Sequence, residues 1–354
     1  MISKEQTKKA LLVQCKKYPK LEPTDIFKFI FQSSFGCEHM VSGESDVIGY
    51  IKKELSESEM CGEALVEALD GDYSRVGLSY LKNGLSAEIL GKLFIMSAKK
   101  EQDGEVKLKE KLEVAENMAR DGLLPFCTDE FLTSLNRWRE KGCPAVHHSD
   151  TFRKAYHPSY RVISNSFVPF LPVFARLDSE LEKGKVHMAI DGGAASGKST
   201  FADVLEKLYG CQVFHMDDFF LRPEQRTPER FAETGGNVDR ERFLSEVLVP
   251  LKNTGKVNYR KLNCADFTLT EPITVKVGRL TVTEGSYSMH PDLAKYYDLS
   301  VFLEVSENLQ RKRITARNSP FFAKRFFDEW IPMENRYFEG MNVKNRCDVA
   351  VYIG

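Results

Sequence analysis

Residues 186–208 read VHMAIDGGAASGKSTFADVLEKL, and no other stretch limits the fold of the chain as strongly. An apolar run ends at an acid, small residues follow from Gly192 to Ser196, and Gly197-Lys198-Ser199-Thr200 opens an amphipathic segment. The spacing Gly192-x-x-x-x-Gly197-Lys198-Ser199, set between a strand pattern and a helix pattern, is that of a phosphate-binding loop. Glycines let successive backbone N–H groups converge on an anion with no Cβ in the way. A helix starting near Lys198 aims the positive end of its dipole at the same point. Gly192, Gly193, Ala194, Ala195, Ser196, Gly197, Lys198, Ser199 and Thr200 are therefore expected to cradle the phosphates of ATP. Lys198 would reach the β- and γ-phosphates, and the Ser199 hydroxyl would ligate Mg²⁺.

The sequence around this loop alternates strand and helix. Short β-rich runs occur at VHMAID, CQVFHM, RLTVTEG, LSVFLEV and CDVAVYI, with helical patterns such as 306–317 and 321–339 between the last three. Near-continuous apolar strands separated by helices predict a five-stranded parallel sheet covered on both faces, an α/β domain over 186–354. Ligands of such sheets bind at the carboxyl ends of the strands. Residues 1–165 read as a mainly α-helical domain. DIFKFIFQSSF puts Ile26, Phe27, Ile30 and Phe31 on one face, and AEILGKLFIMSA repeats the period with Ile89, Leu90, Leu93 and Phe94. EVKLKEKLEVAENMARDGLLP reads as a surface helix stopped at Gly122. Residues 142–172 read as loops and short pieces, and 166–185 as a linker with a connecting helix that ends at Gly184.

A charge balance of 50 Lys+Arg against 51 Asp+Glu leaves no broad basic field, which argues against a nucleic-acid binder. Eight scattered cysteines form no CxxC pair, and the first residues lack an apolar signal core. The most apolar stretch, Phe167 to Ala175, is broken by Pro169 and Pro172. These features predict a cytoplasmic protein with reduced thiols and no membrane partner, acting on a small molecule; they are compatible with a homo-oligomer. His39, His147, His148 and His157 lie near Cys37, Cys127 and Cys143, but their spacings fit no standard zinc template and read as packing or capping residues.

The other strand ends carry the chemistry. CQVFHM runs into Asp217 and Asp218, and a carboxylate there can accept the proton of an acceptor hydroxyl and help hold magnesium waters. Asp217 is the chosen base and Asp218 the alternative helix cap. TVTEGSY places Glu284 beside the γ-phosphate as a further outer-shell carboxylate for Mg²⁺. Between Asn308 and Phe327 there are six Lys or Arg and no acid, and Arg313 and Arg317 stand one helical turn apart. Such cations suit a lid that neutralises a transferring phosphoryl group.

With these motifs in order, residues 186 to about 340 resemble the uridine kinase and phosphoribulokinase family of P-loop kinases. The resemblance implies a phosphotransferase that uses ATP and Mg²⁺ on an alcohol group, with Asp217 as base, Glu284-Gly285 after the third strand, and Arg313 and Arg317 in the lid. It further implies that Asp239, in GGNVDRERF, holds hydroxyls of the acceptor, and that Tyr259, in VNYRKLNC, leads the substrate loop. Five residues after that tyrosine these kinases carry a base-reading His, and this chain has Cys264. Their lid continues as Arg-Asp and an Arg-Gly-Arg turn, whereas Asn318-Ser319-Pro320 follows Arg317 here. The expected acceptor is nucleoside-like, with another polyol or a pantothenate-like compound as the alternative. A non-catalytic ATP-sensing switch acting on the N-terminal domain is the reading from another class. A GTPase is disfavoured, because VKNRCD is not a guanine-reading Asn-Lys-x-Asp motif.

Overall fold

The computed structural model describes residues 3–37, 44–57, 66–98, 101–263 and 265–354. The chain divides into two compact units, Met1–Leu171 and Pro172–Gly354.

Unit 1 is mainly helical. Helix Pro23–Phe35 packs on helices Gly104–Arg120 and Thr128–Glu140, and Phe27 lies flat on Trp138 with ring centroids 4.9 Å apart. Ile26, Phe27 and Ile30 are buried as the helical period predicts, and so are Ile89, Leu90, Leu93 and Phe94. Two features were not visible in that period. Strands Val66–Ala68 (β1), Tyr73–Gly77 (β2) and Tyr160–Ser164 (β3) form an antiparallel sheet in the order β1-β2-β3. And helix Gly104–Arg120, read as a surface helix, buries Lys111, whose Nζ donates to the backbone oxygens of Ser33 and Asp70 and pairs with the Asp70 carboxylate at 3.3 Å. A lysine stem can lie in an apolar groove when its ammonium finds enough acceptors at the far end.

Beside it runs a second buried polar network. Arg75 sits over the Tyr160 ring and gives Nε and one terminal nitrogen to Gln32 Oε1, at 3.0 and 2.7 Å. His148 joins Asp25, 2.8 Å from Nδ1, to the Tyr160 hydroxyl, 2.7 Å from Nε2. His148 is thus a packing residue, and His39 lies outside the described residues. Among the described residues no group of three His, Cys, Asp or Glu is placed to hold a metal ion.

Unit 2 is built on strands Val186–Gly192 (β4), Gln212–His215 (β5), Leu280–Glu284 (β8), Leu299–Val305 (β9) and Val349–Ile353 (β10). They form one parallel sheet in the order β10-β9-β4-β8-β5. The architecture is therefore a five-stranded parallel sheet preceded by an N-terminal helical region. All seven residues of β4 are buried, as expected of a central parallel strand. Its two neighbours lead away in opposite directions, so the crevice of this sheet opens at the end of β4, at the phosphate-loop sequence. An antiparallel hairpin, Lys256–Tyr259 (β6) with Ile273–Lys276 (β7), precedes β8 and had no clear sequence signal. The pattern over 321–339 resolves into helix Pro320–Arg325, a π-helical turn Phe326–Trp330 and helix Ile331–Gly340. Pro332 has no N–H to give to the preceding turn, and the π-turn just before it absorbs the break; Leu244–Leu248 does the same ahead of Pro250. Among the described residues no helix is long and apolar enough to cross a membrane.

Burial holds His148 at a pKa of about 4, below its ordinary 6.5, despite the Asp25 bond. The unfolded chain takes up a proton near 6.5 and the folded one does not, so folding stability falls as pH is lowered through the window from 6.5 to 4. Unit 1 should lose about 1–2 kcal/mol between pH 6.5 and 5, measured by urea unfolding followed through Trp138. His148→Asn should flatten that slope while lowering stability at neutral pH.

Candidate active site

The turn out of β4 demands glycine. Gly192 has φ +146°, and a Cβ there would stand 2.3 Å from the Leu303 carbonyl oxygen on β9. Gly197, at φ +100°, caps helix Lys198–Tyr209, and Ala195 also takes a positive φ of 58°. The backbone from Gly192 to Lys198 is thereby bent into a loop ahead of a helix N-terminus, the arrangement that binds anions. Lys198 Nζ donates to the carbonyls of Gly192 and Gly193 at 2.8 and 3.0 Å. The Ser196 hydroxyl is buried with no hydrogen-bond partner among the described residues. Thr200 follows in the first turn of the helix.

Two strand ends meet this loop. Glu284, the last residue of β8 and buried, lies 3.2 Å from Ser199 Oγ, which donates to it, and 2.6 Å from His215 Nδ1. That bond from Glu284 raises the His215 pKa. Asp217 follows β5 and keeps access to solvent. The protein mass around it and then the Glu284 charge still push its carboxyl above the ordinary range, with Lys198 opposing. Hence Lys198, Ser199, Asp217 and Glu284 form one group. His215 is a member that sequence reasoning missed, although it is the last residue of β5 and stands two residues before Asp217.

The loop is also gripped by the last helices of the unit. Arg313 donates to the Ala195 carbonyl at 2.9 Å and Gln310 to the Ala194 carbonyl at 2.9 Å. Arg317, at the end of the same helix, is exposed and sits over the Phe326 ring, away from the loop contacts that Arg313 makes. Glu334 is buried and accepts the Ala194 N–H at 2.8 Å and the Ser286 hydroxyl at 2.6 Å. Nothing in its sequence context marked it out.

On the remaining side, Asp239 is buried as the N-cap of the short helix Arg240–Phe243 and accepts from Arg242, with Arg222 at 3.8 Å. Tyr259 is buried against Phe214 and Phe219. Its hydroxyl is raised by burial and feels the ion pair between Asp218 and Lys261, 2.9 Å apart. Asp218 therefore has a partner of its own, which Asp217 lacks among the described residues. Cys264 lies outside the described residues.

No family model matches the chain, and neither does any curated protein. Solved structures do match about half of it. A possible uridine kinase from Bacillus stearothermophilus is 21% identical, with 51% of this chain and 98% of that one covered and a TM-score of 0.38. A proposed fructose transport system kinase from Silicibacter sp. TM1040 is 23% identical over 47% of this chain and 89% of that one, at a TM-score of 0.40. A deoxyadenosine kinase from M. mycoides is 15% identical over 47% and 90%, at a TM-score of 0.25. The chain thus has a distant structural similarity to small-molecule P-loop kinases.

The Glu284–His215 bond makes a prediction that needs no substrate. In metal-free buffer the His215 ring should titrate above 6.5 by NMR, and Glu284→Gln should bring its pKa down. An unchanged His215 titration in that variant would mean that the two side chains are not paired in solution.

Proposed function

We propose that unit 2 is an ATP- and Mg²⁺-dependent kinase that transfers the γ-phosphoryl group to a hydroxyl of a nucleoside-like or other polyol acceptor. The observation that carries this reading is the convergence of Lys198, Ser199, Asp217 and Glu284 at the carboxyl ends of β4, β5 and β8. A hydroxyl and two carboxylates are hard oxygen donors, which fits Mg²⁺, and the loop amides with Lys198 fit a polyphosphate. Ser199 would ligate the metal, with Glu284 and Asp217 holding it partly through water. When bound, Mg²⁺ neutralises charge on the β- and γ-phosphates.

Asp217 acts as the base. The O–H bond of the acceptor breaks as its oxygen bonds to the γ-phosphorus, the proton passes to the Asp217 carboxylate, and ADP leaves. A carboxyl raised by the protein mass around it and by a neighbouring carboxylate is better matched to this task than an ordinary aspartate. Lys198 and Arg313 supply positive charge near the transferring group. Asp239, Tyr259 and Cys264 are assigned to the acceptor, which is a free small molecule and not nucleic acid. With Cys264, a poor hydrogen-bonding group, in place of a base-reading His, the acceptor differs from uridine. The assignment of Asp217 to catalysis favours an enzyme over an ATP-sensing switch, since a sensor has no use for a base.

Lys198→Ala should reduce turnover below a tenth of wild type with the fold intact by circular dichroism. Asp217→Asn should cost about two to four decades in kcat with little change in ATP affinity, and Asp218→Asn much less. Equal losses at the two aspartates would overturn the choice of base, and full activity in Asp217→Asn would favour the sensor. In a panel of nucleosides and polyols offered with Mg·ATP, uridine should be a poor acceptor. A kcat/KM for uridine above about 10⁴ M⁻¹s⁻¹, ordinary for an enzyme on its own substrate, would reverse that assignment.

A further inference from the structure

The phosphate loop already holds an anion that belongs to the protein. Glu334 Oε2 accepts the Ala194 N–H at 2.8 Å, and its other oxygen accepts the Ser286 hydroxyl at 2.6 Å. The contact joins the loop to a residue 140 positions further along the chain. It is no chance approach of a flexible side chain. Tyr337, one turn further on the same helix face, is buried and donates to Asp191 at 2.8 Å, which fixes the helix against the end of β4. The same loop residues are held through their carbonyls by Gln310 and Arg313. Glu334 also lies within charge range of Lys198, the residue that reaches towards the outer phosphates, and of Asp217.

We infer that Glu334 is a selectivity residue of the nucleotide site, a built-in carboxylate that takes a loop amide on the side of the terminal phosphate and must be displaced when a triphosphate binds. The inference rests on the reading of this loop as an ATP site. A carboxylate and a γ-phosphate oxygen are both hydrogen-bond acceptors with negative charge, so they compete for one N–H and repel each other at short range. A diphosphate lacks the group that meets Glu334 and leaves the contact in place. Glu334 therefore weakens ATP relative to ADP in the resting site, and ATP binding releases the Glu334 end of the helix Ile331–Gly340 from the loop, the Tyr337 end staying tied to Asp191. Trp330, at the start of that helix, reports the release.

The test is the affinity of ATP and of ADP, by calorimetry, for wild type and Glu334→Gln. The glutamine keeps the shape and an accepting oxygen but removes the charge. ATP should bind ~10-fold tighter to the variant, and ADP should change less than about threefold. Ser286→Ala, which removes the second anchor of the carboxylate, should move ATP in the same direction by less; it stands in if Glu334→Gln does not fold. Addition of ATP should change Trp330 fluorescence in wild type, the change should vanish in Trp330→Phe, and ADP should give little of it. Equal or weaker ATP binding in both variants overturns the inference and makes Glu334 a support of the loop. An equal gain for ATP and ADP also overturns it, since selectivity is its content. Absence of any nucleotide binding to wild type overturns the kinase reading itself, a different result from unchanged affinities.

Discussion

The Asp191 carboxylate is the tie on which the site depends. It is fully buried at the end of β4 and accepts three hydrogen bonds: from the Gly192 N–H at 2.7 Å, the Met289 N–H at 2.9 Å and the Tyr337 hydroxyl at 2.8 Å. Burial raises its pKa to about 6, against the lowering effect of those donors and of Lys198. A buried carboxylate is costly unless its lone pairs are satisfied, and here each donor comes from a different stretch of chain. One fixes the turn into the phosphate loop, one the segment that follows Glu284, and one the helix that carries Glu334. Loss of any of the three would leave a buried acceptor short of a partner, which makes the geometry hard to vary.

Around this tie the charges are arranged unevenly. Lys198 bears on two carboxylates, those of Asp217 and Glu334, and each of the two also has an acid among the groups that raise it. Glu284 is steadied by His215 and Ser199, while Glu334 is steadied by an amide and a hydroxyl. Asp217 has no such partner among the described residues and stays solvent-accessible. An excess of acid in one small region is tolerable beside a polycation or a divalent cation and is otherwise repulsive. Among the described residues of unit 1, by contrast, Arg75, Lys111 and His148 each meet their counterparts within the fold.

The parts of this architecture that repeat a local rule were legible in the sequence. Buried parallel strands read as apolar runs, and the phosphate loop has a spacing imposed by φ values and by the approach of Gly192 to the Leu303 carbonyl. The five strands of the main sheet and their order of appearance followed from this, as did the grouping of Ser199 with the acids at the next two strand ends. What depends on pairing between distant residues was not legible. Strands β2 and β3 are short and stand far apart in sequence, so neither shows a convincing alternation by itself. Lys111 looked like part of a solvated helix because the acceptors at Ser33 and Asp70 lie on other elements. Glu334 sits in WIPMENRYF with no motif to mark it, because its role is set by the place where its helix lands.

That last case shows how the fold makes a functional position from an ordinary residue. The π-helical turn Phe326–Trp330 and Pro332 set the phase of the helix that follows. A turn of a different width would rotate Glu334 and Tyr337 together, since residues three apart share a face. Tyr337 could then no longer reach Asp191, nor Glu334 the Ala194 amide. The irregular turn, the buried tyrosine and the acid at the loop are thus one device, and the basic segment from Gln310 to Arg313 closes on the same loop from the preceding helix. A phosphate loop held at its amide by an acid and at its carbonyls by a glutamine and an arginine is coupled to the helices behind it. Any anion that competes for that amide acts on both.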